Sequence, residues 1–230
     1  MNKLWVFGDS FSEPFSKVKQ LPWRIEYIQW KGYMPKCYGE IISNKLRLQH
    51  INSASSGADN YTILDTIINV LNTINSDDII IIGWSSTLRF RVVNKKNTFS
   101  TILPAHITDA INLNKELSLL ELSNSTLKEL ITNRDNLIYI NELNNYIKLI
   151  NFTFPNNKII HWTPFLKQEK NGLLTTHNNL ILKNLERVVE ETIGKIDDYH
   201  YSENGQIVLA EEFINIIDNY RIKNFKKPML

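Results

Sequence analysis

Two short segments at opposite ends of the chain carry side chains that can do chemistry. Near the start, Gly8-Asp9-Ser10-Phe11-Ser12 follows the apolar run Leu4 to Phe7. A serine placed just after a strand and at a helical turn exposes its hydroxyl, and its backbone N–H lies where an anion can be received. Near the end, Asp197-Asp198-Tyr199-His200 sets a carboxylate three residues ahead of an imidazole. A tight turn of that length can hold Asp197 against one ring nitrogen while the other faces a serine. Asp198 is the alternative acid, but the three-residue spacing favours Asp197. Either segment alone is a common turn. Their joint placement, each beside a sheet edge of the same polarity, points to chemistry at a hydroxyl.

Other side chains carry two readings each. Trp84 offers a ring face to a sugar or covers the core, with the core favoured. Arg89 reaches a pocket mouth to bind a carboxylate or a sugar acid, or sits on a solvated loop. His161 follows a strand and reads as a packed histidine rather than a second base. His106 and His177 have no partner at ligand spacing, so no metal site is expected. The single cysteine, Cys37, lies at a helix start and reads as a small buried residue rather than a reactive thiol. The basic tail Arg221 to Lys227 reads as a solvated terminus.

Positioning these groups requires a scaffold, and the hydrophobic pattern supplies one. Leu4 to Phe7 reads as a short buried strand and His50 to Ala54 as a weaker one. Ile79-Ile80-Ile81-Ile82, between Asp77-Asp78 and Gly83, is the strongest strand signal. Four β-branched residues without alternation predict burial on both faces, as in a parallel sheet covered by helices. Lys158 to Trp162 is the fourth strand. Helical spacing predicts helices over Tyr38 to Leu48, Asn60 to Ile74, Asn178 to Ile193 and Glu203 to Tyr220. Two more long helices are expected between about 104 and 151, the second from near Ser125 to Ile150. The order indicates one doubly wound α/β domain over 1–230 with a helical insertion around 87–150. Open parallel sheets place their sites outside the carboxyl ends of the strands. The segments Ser53 to Asn60 and Gly83 to Ser86 therefore join Ser10 as site candidates.

Composition narrows the functions. The 230 residues carry 26 basic and 24 acidic side chains, a net charge of +2, so no global field draws the chain to nucleic acid or to a membrane surface. The longest apolar run is too short to span a bilayer, so no membrane span is expected. One cysteine excludes an intramolecular disulfide framework and a multi-cysteine zinc site. No signal peptide is visible at the N-terminus, which predicts a cytoplasmic protein. Asn and Ile make up about a quarter of the chain, a bias that suits a phage or virus protein from an AT-rich genome.

Phe7-Gly8-Asp9-Ser10-Phe11-Ser12 resembles the first block of the GDSL/SGNH hydrolases, and Asp197 to Gly205 resembles their last block. Asn52-Ser53-Ala54-Ser55-Ser56-Gly57 is similar to the second. The resemblance implies a flavodoxin-like three-layer α/β/α sandwich with a mainly parallel sheet, the SGNH hydrolase fold. It implies ester hydrolysis by a triad, with Ser10 as nucleophile, His200 as general base and Asp197 orienting the imidazole. The backbone N–H groups of Ser10 and Gly57 would stabilise the oxyanion. Asp9, Trp84 and Arg89 are the candidate substrate contacts. No metal or organic cofactor is implied. The substrate would be a small-molecule or glycan ester, most simply an acetyl ester on a carbohydrate.

The third block departs from the family. Its Gly-x-Asn-Asp pattern supplies an Asn side chain as third oxyanion donor, whereas Gly83-Trp84-Ser85-Ser86 places Ser85 there. The Ser85 hydroxyl is one substitute and the Asn60 amide of the neighbouring loop is another. The departure also supports an alternative, a catalytically degenerate module that binds a glycan or a protein partner. Acyl transfer from the same Ser10 to a sugar hydroxyl is the third reading.

Overall fold

The computed structural model describes residues 2–17, 28–29, 32–87, 89–93, 99–102, 129, 136–164 and 203–225. The elements are β1 (Lys3–Gly8), α1 (Tyr38–Leu46), β2 (Gln49–Asn52), α2 (Asn60–Val70), β3 (Ile79–Gly83), β4 (Phe90–Val93), β5 (Phe99–Ile102), α3 (Asn136–Thr153), β6 (Lys158–Trp162) and α4 (Glu203–Phe225). A short 3-10 turn, Leu71–Thr73, extends α2.

Four strands form one parallel sheet in the order β2-β1-β3-β6. Residues pointing to opposite faces along β1, β3 and β6 join two separate cores, as the period of two requires. Leu4, Val6, Ile79, Ile81, Ile160 and Trp162 pack with Tyr38 and Ile42 of α1 and with Leu209, Phe213 and Ile217 of α4. Trp5, Phe7, Ile80, Ile82 and Ile159 pack with Ile63, Leu64 and Ile67 of α2 and with Ile140, Leu143 and Ile147 of α3. Helices therefore cover both faces, giving a flavodoxin-like three-layer α/β/α sandwich. The four isoleucines of β3 are at most 4% exposed, which is why that strand shows no polar alternation.

The chain leaves β1 toward β2 on one side and returns to β3 on the other. The crevice between the carboxyl ends of β1 and β3 is therefore the topological switch point. At that point Gly8 and Gly83 are register partners.

Within the stretch read as a helical insertion, Phe90–Val93 and Phe99–Ile102 form an antiparallel ribbon, while Asn136–Thr153 is helical. Val92, Val93 and Thr101 are β-branched and favour the extended form. The expected helix at 178–193 lies outside the described residues, as do residues 103–128. Among the described residues no helix is long and apolar enough to cross a membrane.

The helix-start cysteine is buried. Cys37 is fully buried ahead of α1, and its backbone N–H donates to Glu40 Oε2 at 2.8 Å. Burial, with the Glu40 charge beside it, pushes the thiol from its ordinary 9.0 up to about 12. The folded state therefore holds the thiol proton more tightly than the unfolded chain. The stability this confers is complete below pH 9 and is lost as pH rises toward 12. At pH 8 the native protein is expected to resist Ellman's reagent, with one thiol reacting after addition of denaturant. Prompt reaction of the native protein contradicts this placement.

Candidate active site

Ser10 is partly exposed in the turn immediately after β1, at the mouth of the crevice. The turn is closed by the Ser12 N–H donating to Asp9 O at 3.0 Å, and by the Phe11 N–H donating to Asp9 Oδ1 at 3.1 Å. Its seating depends on two glycines. A Cβ on Gly83 would lie 2.3 Å from Ser12 Oγ, and one on Gly8 would lie 2.4 Å from it. The buried Ser12 side chain thus occupies the space that both strand ends leave empty. Gly8 also has φ of +154° and would push its Cβ to 2.8 Å from the Gly83 carbonyl. Gly8→Ala is expected to destabilise the fold by about 1–3 kcal/mol and to displace the Ser10 turn. Thermal unfolding together with activity checks it, and a variant with wild-type Tm and rate contradicts the seating.

The second loop is stitched to the first. Ser53 N–H donates to Val6 O at 2.8 Å and Ser55 N–H to Gly8 O at 3.0 Å. Asn52 bridges the two loops, donating from Nδ2 to Ser12 O at 2.8 Å and accepting from the Ala54 N–H at 2.9 Å. Lys17 Nζ adds a bond to Ala54 O at 2.6 Å. Beyond them a β-turn closes with the Ala58 N–H on Ser55 O at 3.1 Å. Gly57 is its third residue, with φ of +79°, the conformation that a type II turn reserves for glycine. Gly57 is solvent-exposed on the turn.

The third loop is held by side chains of the other two. Asn60 accepts from the Ser85 N–H at 2.7 Å and donates to Ser85 O at 3.0 Å. The Ser85 hydroxyl is fully buried and donates to Asp9 Oδ2 at 2.9 Å. Arg89 Nη1 lies 3.4 Å from the same carboxylate oxygen and donates to Ala58 O at 3.1 Å. The three strand-end loops therefore meet in one network around Asp9, Asn60, Ser85 and Arg89.

Several sequence candidates face inward. Asp9 and Trp84 are each 1% exposed, so neither presents a surface to a ligand. The Trp84 ring stacks on His161 with centroids 6.0 Å apart, and its Nε1–H donates to His161 Nδ1 at 3.0 Å. His161 Nε2 is 3.1 Å from Asn151 Oδ1. An imidazole that accepts at Nδ1 carries its proton at Nε2, so both ring nitrogens of His161 are engaged within the core.

Asp197, Asp198, His200, His106 and His177 lie outside the described residues. The helix that follows His200 is described. α4 begins at Glu203, which accepts a bond from Tyr33 Oη at 2.8 Å. Gln206 in its first turn accepts from the Tyr38 N–H at 2.8 Å. Tyr38 in turn packs edge-on against Trp162, the last residue of β6, with ring centroids 5.6 Å apart. The start of α4 is thus docked at the carboxyl edge of the sheet, the edge where Ser10 sits.

Sequence reasoning missed the bridging role of Asn52 and the space that Gly83 leaves for Ser12. It also missed a cleft formed by α2, α3, Thr87, Arg89 and Arg91, whose wall includes Tyr61 and Glu142. Arg91 follows Arg89 at the spacing that puts two side chains on one side of a strand, and that was the available signal.

No protein-family profile matches the chain, and no curated protein resembles it significantly in sequence. Among solved structures it is similar to a psychrotrophic esterase, EstA, from Pseudoalteromonas sp., crystallised as inhibited by monoethylphosphonate. That likeness has 11% identity and a TM-score of 0.43, over 96% of this chain and 98% of that one. It is also similar to a carbohydrate esterase whose active site is described as having divergent catalytic and non-catalytic binding functions. There the identity is 16% and the TM-score 0.44, over 94% of this chain and 68% of that one. At this level of likeness the residues themselves must carry the functional reading.

Proposed function

We propose that the protein is a serine esterase that hydrolyses a small acyl ester, an acetyl ester of a carbohydrate foremost, through an acyl-enzyme on Ser10. One observation carries this reading: a partly exposed serine sits at the switch-point crevice, and side chains from three strand-end loops lock that crevice together. In the proposed reaction Ser10 Oγ attacks the ester carbonyl as His200 takes its proton, with Asp197 orienting the imidazole. The carbonyl oxygen becomes an oxyanion that the Ser10 and Gly57 N–H groups receive. Collapse of the tetrahedral intermediate breaks the ester C–O bond, and His200 returns the proton to the departing alcohol. Water, activated by the same imidazole, then releases the acid. The docking of α4 at the Ser10 edge supports this assignment, because Glu203 follows His200 by only three residues.

For the third donor, Asn60 is the better candidate. Ser85 is fully buried and gives its hydroxyl proton to Asp9, whereas Asn60 is partly exposed and its amide carries two hydrogens. The same engagement of Ser85 favours the second reading, a degenerate module that binds a glycan or protein partner. Hydrolysis of a chromogenic acetate by wild type and Ser10→Ala decides between them: equally slow rates defeat the esterase.

A further inference from the structure

Beside the Ser10 turn lies a cleft of about 410 Å3, bounded by the start of α2, by Thr87, Arg89 and Arg91, and by the first half of α3. That volume falls in the range of small-molecule sites. Asn60 and Arg89 line it, and they are the side chains that tie Ser85 and Asp9 into the crevice. Cleft and crevice therefore share a wall. Resting on the reading of Ser10 as an ester nucleophile, we propose that this cleft receives the alcohol part of the ester and selects a neutral sugar over an acidic one.

The charges of the wall set this preference. Among the described residues its ionisable carboxylates and guanidiniums are Asp59, Glu142, Arg89 and Arg91, two of each sign. Arg91 Nε donates to Asp59 Oδ2 at 2.8 Å, and Arg91 also bonds the Thr62 hydroxyl. Arg89 faces the buried Asp9 carboxylate. Each guanidinium is thus matched to an acid of the protein. A ligand carboxylate would compete with those acids and would meet Glu142 as well, a like-charge contact that costs affinity. A neutral ring of hydroxyls meets no such penalty. Each hydroxyl both donates and accepts, which suits a wall that mixes guanidinium donors with carboxylate and amide acceptors.

Three tyrosines complete the match. Tyr61, Tyr139 and Tyr146 line the same cleft. Tyr61 is 52% exposed, and the Arg91 guanidinium lies 4.3 Å from its ring centroid. The Tyr146 hydroxyl donates to Glu142, which fixes the ring orientation. Burial, reinforced by that carboxylate, holds the Tyr146 phenol protonated well above its usual range. The C–H face of a pyranose can lie on such a ring and bury apolar surface while its hydroxyls remain bonded at the rim.

The test uses Ser10→Ala protein and matched probes: glucose and galactose against glucuronate and galacturonate. Titration calorimetry or tryptophan fluorescence reads binding, since the Trp84 and Tyr146 ring centroids are 6.4 Å apart. Each neutral sugar is expected to bind at least about tenfold more tightly than its uronate. In the Ser10→Ala background, Glu142→Gln adds one net positive charge to the cleft and is expected to narrow that ratio. Tyr61→Ala is expected to weaken the neutral sugars. Uronates binding as tightly as the neutral sugars, or no sugar binding beside intact Ser10-dependent acetate hydrolysis, overturns the cleft assignment and leaves the esterase standing. Selective neutral-sugar binding without Ser10-dependent hydrolysis supports the cleft and overturns the esterase.

Discussion

Ser10→Ala is expected to lower kcat for a chromogenic acetate by at least about 10⁴-fold, leaving Tm within a degree or two of wild type. The size follows from the role. An acyl-enzyme needs a hydroxyl at this atom, and without it only binding and oxyanion stabilisation remain. The unchanged stability follows from the structure. Ser10 is partly exposed, and the turn around it is closed by backbone and Asp9 bonds that do not use its hydroxyl. Loss of activity with loss of fold would make the experiment a test of the turn. Loss of activity alone makes it a test of the nucleophile.

Asn60→Ala is expected to reduce kcat by about 10²–10³, and Ser85→Ala by far less. Access to the opening separates the two residues. An oxyanion forming on a substrate at Ser10 can meet only groups that reach the opening. Ser85 is fully buried with its hydroxyl on Asp9, while Asn60 lines the cleft and brackets the Ser85 backbone. Asn60→Ala also removes two bonds to Ser85, so Tm must be read beside kcat. A fall in kcat that persists well below the melting transition, with KM little changed, marks an oxyanion donor. A loss recovered by cooling or by a stabilising osmolyte marks a loop pin. If Ser85→Ala instead produces the larger kinetic loss, the third-donor assignment reverts to Ser85.

Three of the four sheet strands were legible because each is a short apolar run with a sharp end, whereas β2 has one aliphatic residue, Ile51, and gave a weak signal. Ile79 to Ile82 needed no alternation to be read, since burial on both faces makes the whole run apolar. Leu4 to Phe7 was equally clear, and the glycine that ends it is also the register partner of Gly83. The ribbon at Phe90–Val93 and Phe99–Ile102 was harder. Four-residue strands separated by polar residues give too few periods to distinguish from the start of an insertion. In the site, Ser10, Gly57 and Asn60 could be named because their spacing follows strand ends. What spacing could not give was direction. Whether Asp9 and Trp84 turn outward or inward depends on partners 76 and 77 residues away, Ser85 and His161. Such non-local pairings leave no local pattern. The cleft illustrates the same limit, since its wall joins α2 with α3, whose chain positions are far apart.

An acyl-enzyme mechanism requires Ser10 to be the group that bonds covalently to the acyl carbon. Intact-protein mass spectrometry after incubation with a fluorophosphonate, followed by peptide mapping, tests that directly. One phosphonyl adduct per chain is expected on the peptide carrying Ser10, and none on Ser10→Ala. No adduct on the folded wild type, or an adduct that survives in Ser10→Ala, would contradict it.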